Sequence, residues 1–282
     1  MNLVGLRGNI RRRQRVNCTV PSAYLQVTRR YGLLSMLVGQ ACVGQISSTS
    51  QIITDRPDIT ESSVVIPTGS AQVENGVTWT ADHGTVTVDL SETLIRVGIL
   101  GRTEIRLTPP NYVYPVSGSR LMSRFGDPSV GLKQQIGPLP AGFDLSVIVG
   151  SGIPLDPDKL SGHRFSPFVK FPWSHELPNG WSVGGMQSLF YGSDVPDKLT
   201  WESTFYVERE ITKRSDIFVE YGADYGHGEE SRQVLHIGAA RRITPRQQAD
   251  FHFGFGVTHG SPNRFFAAGY SFRVDHLFGW RD

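Results

Sequence analysis

After residue 70, apolar residues alternate with polar or very small ones at a period of two. In Ala249 to His259 one set is Phe251, Phe253, Phe255 and Val257, and the other is Asp250, His252, Gly254, Gly256 and Thr258. Leu199 to Glu208 sets Leu199, Trp201, Phe205 and Val207 against Thr200, Glu202, Thr204, Tyr206 and Glu208. Asp216 to Tyr225 and Phe265 to Val274 divide the same way. Successive side chains of a strand point to opposite faces, so this spacing predicts β-strands. After residue 50 no stretch sustains an apolar spacing of 3.6, and little helix is expected.

Thirteen such runs are legible: 72–80, 84–92, 94–99, 104–108, 128–136, 143–150, 165–171, 181–190, 199–208, 216–225, 233–241, 249–259 and 265–274. The second and third merge into one, because the apolar parity slips once near Ser91-Glu92-Thr93, as at a bulge. Twelve strands result, an even number. The connections differ by end: Gly101 to Thr103, Gly137 to Gly142, His175 to Gly180, Arg209 to Ser215 and Arg242 to Gln248 are short, while the opposite set includes the longest, Thr108 to Gly126 and Ser151 to Arg164, although Ala81 to Gly84 and Gly260 to Asn263 are short. Short turns at one end and long loops at the other are the layout of an outer-membrane barrel.

Within each strand the charged residues share one face. A soluble sandwich would put that face in water, and a membrane barrel would put it in the lumen. Tiny residues on the charged face, with room to spare in a barrel interior, and aromatics near strand ends favour the barrel. The expected fold is all-β: a single antiparallel up-and-down transmembrane β-barrel of about 12 strands over residues 71–274, with residues 275–282 as a C-terminal extension.

Composition agrees, with 31 glycines, 17 prolines and 10% aromatics. The net charge of +2 is misleading, because residues 1–50 carry seven arginines and no acid, which leaves 21 basic against 26 acidic residues, a net of −5, in the remainder. A mildly acidic folded part has no electrostatic footprint for nucleic acid, so no nucleic-acid partner is expected. Cys18 and Cys42 both lie before residue 50, so disulfides, zinc-thiolate sites and thiol nucleophiles are excluded from the rest. Arg29-Arg30, the apolar run Tyr31 to Gly39 and the small residues that follow have the order of a secretory signal, so residues 1–45 are expected to be a targeting segment or to follow from a misassigned start.

Residues 46–70 are polar and punctuated by proline, an extended lead-in to the first strand. Thr54 to Glu61 could enter the barrel mouth as a plug, through Asp55, Arg56, Asp58 and Glu61, or form an ordinary capped turn. The inward set expected along a solute path is Glu74, Arg106, Lys133, Lys170, Glu202, Tyr206, Glu220, Asp224, Arg241, His252 and Arg273. These mixed charges could select solutes or simply neutralise one another. His236, Asp250 and His252 fall on neighbouring inward faces, but the hairpin register around Thr244-Pro245 sets His252 nearer Gly238 than His236, leaving the histidines diagonal. No catalytic residue, metal or cofactor is predicted, and no Gly-x-Ser-x-Gly elbow is present.

Thr54 to Ser62, Ile66-Pro-Thr-Gly69, Leu94 to Arg106, Gly126 to Lys133, Phe218-Val-Glu-Tyr221 and Arg242-Ile-Thr-Pro245 with Asp250 resemble, in order and spacing, the phenol-degradation (MetA-pathway) outer-membrane transporter family. The resemblance implies a barrel in the outer membrane of a Gram-negative cell, in contact with outer-membrane lipid and the barrel-insertion machinery. It also implies passage of small hydrophobic or aromatic solutes and no enzymatic activity. The alternatives are a structural or adhesive surface barrel, or an outer-membrane lipid-modifying enzyme.

Overall fold

The computed structural model describes residues 51–117, 124–155, 165–192, 198–226 and 230–277. The signal-like segment, Cys18 and Cys42 lie outside the described residues. Among the described residues fifteen strands form: β1 (Ala71–Asp82), β2 (Thr85–Leu90), β3 (Leu94–Leu100), β4 (Thr103–Thr108), β5 (Tyr112–Ser117), β6 (Arg124–Phe125), β7 (Ser129–Gln135), β8 (Phe143–Gly152), β9 (Ser166–Leu177), β10 (Trp181–Tyr191), β11 (Leu199–Thr212), β12 (Ser215–Gly226), β13 (Arg232–Thr244), β14 (Gln247–Gly256) and β15 (Arg264–Val274). Every pairing is antiparallel between neighbours, and β15 returns to β1, from Ala71 opposite Val274 to Ala81 opposite Arg264. The ring of β1, β3, β4 and β7 to β15 is thereby closed, the condition for a sheet to stand in hydrocarbon.

The fifteen strands make twelve staves. β1 pairs with β3 along Ala71 to Glu74 and with β2 along Val77 to Asp82, so β2 and β3 are one stave broken at Ser91, whose φ is 59°. β4 and β5 are halves of the next, parted by Pro109-Pro110, since proline cannot donate to a ladder. β6 and β7 form the third broken stave. The barrel is thus the expected all-β, closed, 12-stranded antiparallel one.

Several local expectations are corrected. Thr108 to Gly126 is not all loop, because β5 and β6 continue the wall through it. The strand beginning at residue 165 does not stop at 171 but runs to Leu177 through Pro167 and Pro172. Pro172 keeps its partner Met186 on β10, while the β8–β9 ladder skips from Leu145 opposite Trp173 to Ile148 opposite Lys170. The short turns are tighter than expected: β11 and β12 are separated by Lys213-Arg214 alone, and β13 and β14 by Pro245-Arg246.

Burial is inverted relative to a water-soluble core. Phe251, Phe253 and Phe255 are 55%, 45% and 44% exposed, whereas Glu74, Arg96, Glu104, Lys133 and Glu220 are wholly buried. The apolar face therefore forms an outer belt for lipid and the charged face lines the interior. Phe143 and Trp181 at the short-turn end, and Tyr191, Trp201 and Tyr225 near the long-loop end, are exposed like interfacial girdles. By this layout the long loops face the cell surface.

Candidate functional site: a lumen occupied by the N-terminal segment

The interior wall is electrostatically uneven. Arg96 on β3 and Arg106 on β4 stand directly opposite each other, with Lys133 on the adjoining β7. Like charges in a cross-strand pair repel, and buried charges without partners are costly. Glu104 relieves part of this, with Oε1 2.9 Å from Arg96 Nε and 2.8 Å from Arg106 Nη1. The remainder comes from the lead-in segment. Asp55 lies 3.1 Å from Arg96, 2.6 Å from Arg106 and 3.8 Å from Lys133, and also accepts the Ser62 amide at 2.9 Å. Burial alone would raise the Asp55 carboxyl, but Arg106, Arg96 and Lys133 outweigh it and hold the group well below the ordinary range. Glu61 bridges Arg106 at 2.8 Å and Lys170 at 2.6 Å and is likewise held low against its own burial.

Wall carboxylates, in turn, accept the segment's backbone amides. Glu74 Oε2 receives Asp55 N at 2.8 Å and Arg56 N at 3.2 Å. Glu220 Oε1 receives Thr60 N at 2.8 Å and Thr60 Oγ1 at 2.5 Å, while its Oε2 receives Ile59 N at 2.7 Å and stands 2.7 Å from His236 Nε2. Glu104 receives Ile66 N at 2.9 Å, and Thr60 Oγ1 contacts Thr204 Oγ1. A chain entering a lumen must satisfy its backbone groups, and here the barrel's own acids do so. Arg56 occupies a slot between the paired Gly76 and Gly269, where a Cβ would approach its guanidinium to 2.2 Å and 2.4 Å, and it reaches Glu92 at 3.0 Å and Asp250 at 3.5 Å. Only glycine leaves that room.

Two cavities, each about 450 Å³, enter from opposite ends. The one at the short-turn end is lined by the segment itself, with Tyr206, Glu208 and Asp216. The one at the long-loop end is lined by Leu94, Arg106, Ile148, Phe168, Lys170 and Phe190. Glu61 lines both.

Of the residues expected along the path, Glu74, Arg106, Lys133, Glu220 and Arg273 are buried in the interior, and Lys170, Glu202, Tyr206, Asp224 and His252 are part-buried on the same face. Arg273 does not face an open path: its Nε binds Asp275 Oδ1 at 2.8 Å, and Asp275 is also bound by Arg246 at 2.6 Å. Arg241 is corrected. The two-residue period running from His236 through Gly238 and Ala240 turns Arg242 inward, where it meets Asp216 at 2.9 Å, and leaves Arg241 exposed on the lipid side. His252 sits opposite Gly238, with its ring 5.1 Å from that of His236. Arg96 and Glu104 are central to the site and were not expected there. The signal that could have found them is the common parity of Arg96 with Gly98 and of Glu104 with Arg106. Among the described residues no cluster of His, Cys, Asp or Glu is arranged to hold a metal.

A closed twelve-stave barrel with a lipid-facing apolar belt and a charged, self-occupied lumen defines an outer-membrane β-barrel. Within that class, the chain belongs to the family described as "Putative MetA-pathway of phenol degradation", whose model matches residues 54–274. An outer membrane channel from Pseudomonas putida F1 superposes with a TM-score of 0.57 at 12% identity, covering 77% of this chain and 99% of its own. The KdgM porin in complex with disordered oligogalacturonate gives a TM-score of 0.48 at 7% identity, covering 72% of this chain and 98% of its own. At such identities the likeness is one of fold. No curated protein sequence matches this chain.

Proposed function

We propose that this barrel is a gated conduit for small hydrophobic or aromatic solutes across the outer membrane, closed in the present state by residues 54–66. The observation that carries the proposal is the pair of cavities meeting at Glu61 from opposite ends, with the segment between them. The segment is held by ion pairs and amide-to-carboxylate bonds to the wall, contacts that can be exchanged one at a time. The family description, with its reference to phenol degradation, supports an aromatic cargo. Conduction rather than catalysis is favoured by the placement of His236, whose Nε2 is engaged with the Glu220 that holds the segment.

Liposomes containing the purified protein should take up small aromatic solutes such as benzoate faster than empty liposomes. Uptake no faster than in empty liposomes would overturn the proposal.

A further inference from the structure

Across the upper interior, Gly131 on β7, Gly150 on β8, Phe168 on β9 and Phe190 on β10 stand in one register row. The two glycines make space for an aromatic wall: a Cβ on Gly150 would lie 2.4 Å from Phe168 Cζ. The Phe168 and Phe190 rings are tilted together with centroids 6.0 Å apart, and Lys170 Nζ lies 5.4 Å from each. Lys170 thus offers one ammonium between two ring faces and a carboxylate, that of Glu61 at 2.6 Å, which itself reaches Arg106 at 2.8 Å. Leu94 and Ile148 complete the apolar lining of this cavity, whose volume of about 450 Å³ falls among small-ligand sites.

We propose that this cavity binds a small aromatic monoanion, a single ring bearing one carboxylate or phenolate, whose charge takes the place of Glu61 on Lys170 and Arg106. The inference rests on the conduit function above and names its solute class. A neutral aromatic gains the phenylalanine rings but leaves the Lys170–Glu61–Arg106 bridge intact. An aliphatic anion gains the two cations and forgoes the rings, and an aromatic cation meets Lys170 and Arg106. Only an aromatic anion uses every group present. Exchanging one carboxylate for another also leaves no buried cation unpaired, so the large cost of breaking such a pair is avoided. Glu61 already borders the inner cavity and can turn toward it when displaced. Binding therefore loosens the segment at Glu61 while the Asp55 clamp persists, which couples occupancy of the site to the first step of opening.

The test is titration calorimetry on the full-length protein in detergent with benzoate, cyclohexanecarboxylate and benzyl alcohol. Benzoate should bind more tightly than either comparison compound. Lys170→Met should weaken benzoate by about 10- to 100-fold, the loss of one charge-assisted contact, while Lys170→Arg retains most of the affinity. Phe168→Leu combined with Phe190→Leu should abolish the preference for benzoate over cyclohexanecarboxylate. Heat-modifiable gel mobility confirms folding, and if Lys170→Met fails to fold, the phenylalanine pair decides. No benzoate heat, equal binding of benzyl alcohol, or affinity unchanged in folded Lys170→Met overturns the site. Benzoate binding without liposome uptake would sustain the site and overturn the conduit, whereas uptake without saturable benzoate binding would do the reverse.

Discussion

The carboxylates of the N-terminal segment are sorted by their surroundings. Asp55 and Glu61 face cations, whereas Asp58 is raised well above its usual value by burial and by Glu220, Glu208, Asp250 and Asp55, and its Oδ1 accepts no hydrogen bond among the described residues. The signs of the resulting pH effects differ. Docking gained from Asp55 and Glu61 is present above their water values of about 4 and is lost as the pH falls below. Docking that prefers protonated Asp58 is favoured at low pH and weakens as pH rises from about 4 toward the raised docked value. Above about pH 5 the first two are ionised in either state, so among the segment's own acids Asp58 sets the slope. Amides of Ile59 and Thr60, bonded to Glu220, should therefore lose hydrogen-exchange protection as the pH rises above about 5, relative to Asp58→Asn at the same pH, and the variant should be better protected at the upper end. Equal protection in the two proteins throughout would contradict this. At this scale the sequence was informative only in part. Asp55, Arg56 and Glu61 stand out as charges in a proline-punctuated entry, but the partner of Ile59 lies 161 residues away at Glu220, and no local pattern encodes so distant a contact.

At the scale of the strand, the alternation was legible wherever a stave is unbroken. Phe251, Phe253 and Phe255 on β14, and Trp201 and Phe205 on β11, declare their face through period two alone, and all are exposed toward lipid. Legibility fails where the ladder breaks. The parity slip at Ser91 and the stop at Pro109-Pro110 leave β3 and β4 with seven and six residues, so that of their inward charges Arg106 was legible and Arg96 and Glu104 were not. Near Thr244 a register shift ends the period just past Arg242, which explains the confusion of Arg241 with its neighbour. The lipid-facing assignment itself is measurable. Phe253→Arg, in the middle of β14, should destabilise the barrel in lipid vesicles by about 2–4 kcal/mol, the cost of a cation near the bilayer midplane. Denaturant unfolding of the folded variant at the natural midpoint would place Phe253 away from hydrocarbon.

For the whole molecule, barrel and segment form one charge system. β3, β4 and β7 bring Arg96, Arg106 and Lys133 together, and removing a partner from a buried ion pair costs about 3–5 kcal/mol, so the wall needs Asp55 from the segment. The opposite wall supplies Glu220 to the segment's amides. A lumen balanced this way stays shut until one of its contacts is replaced, and solute passage then depends on movement of the segment. Tethering tests that dependence most directly. Thr60 and Thr204, whose hydroxyls touch, can be replaced by cysteines in a chain whose Cys18 and Cys42 are serine, and uptake of small aromatic solutes into proteoliposomes measured with the disulfide formed and then reduced. Uptake should fall to that of empty liposomes when oxidised and return on reduction. Equal uptake in the two states would show that solute passes without the segment moving.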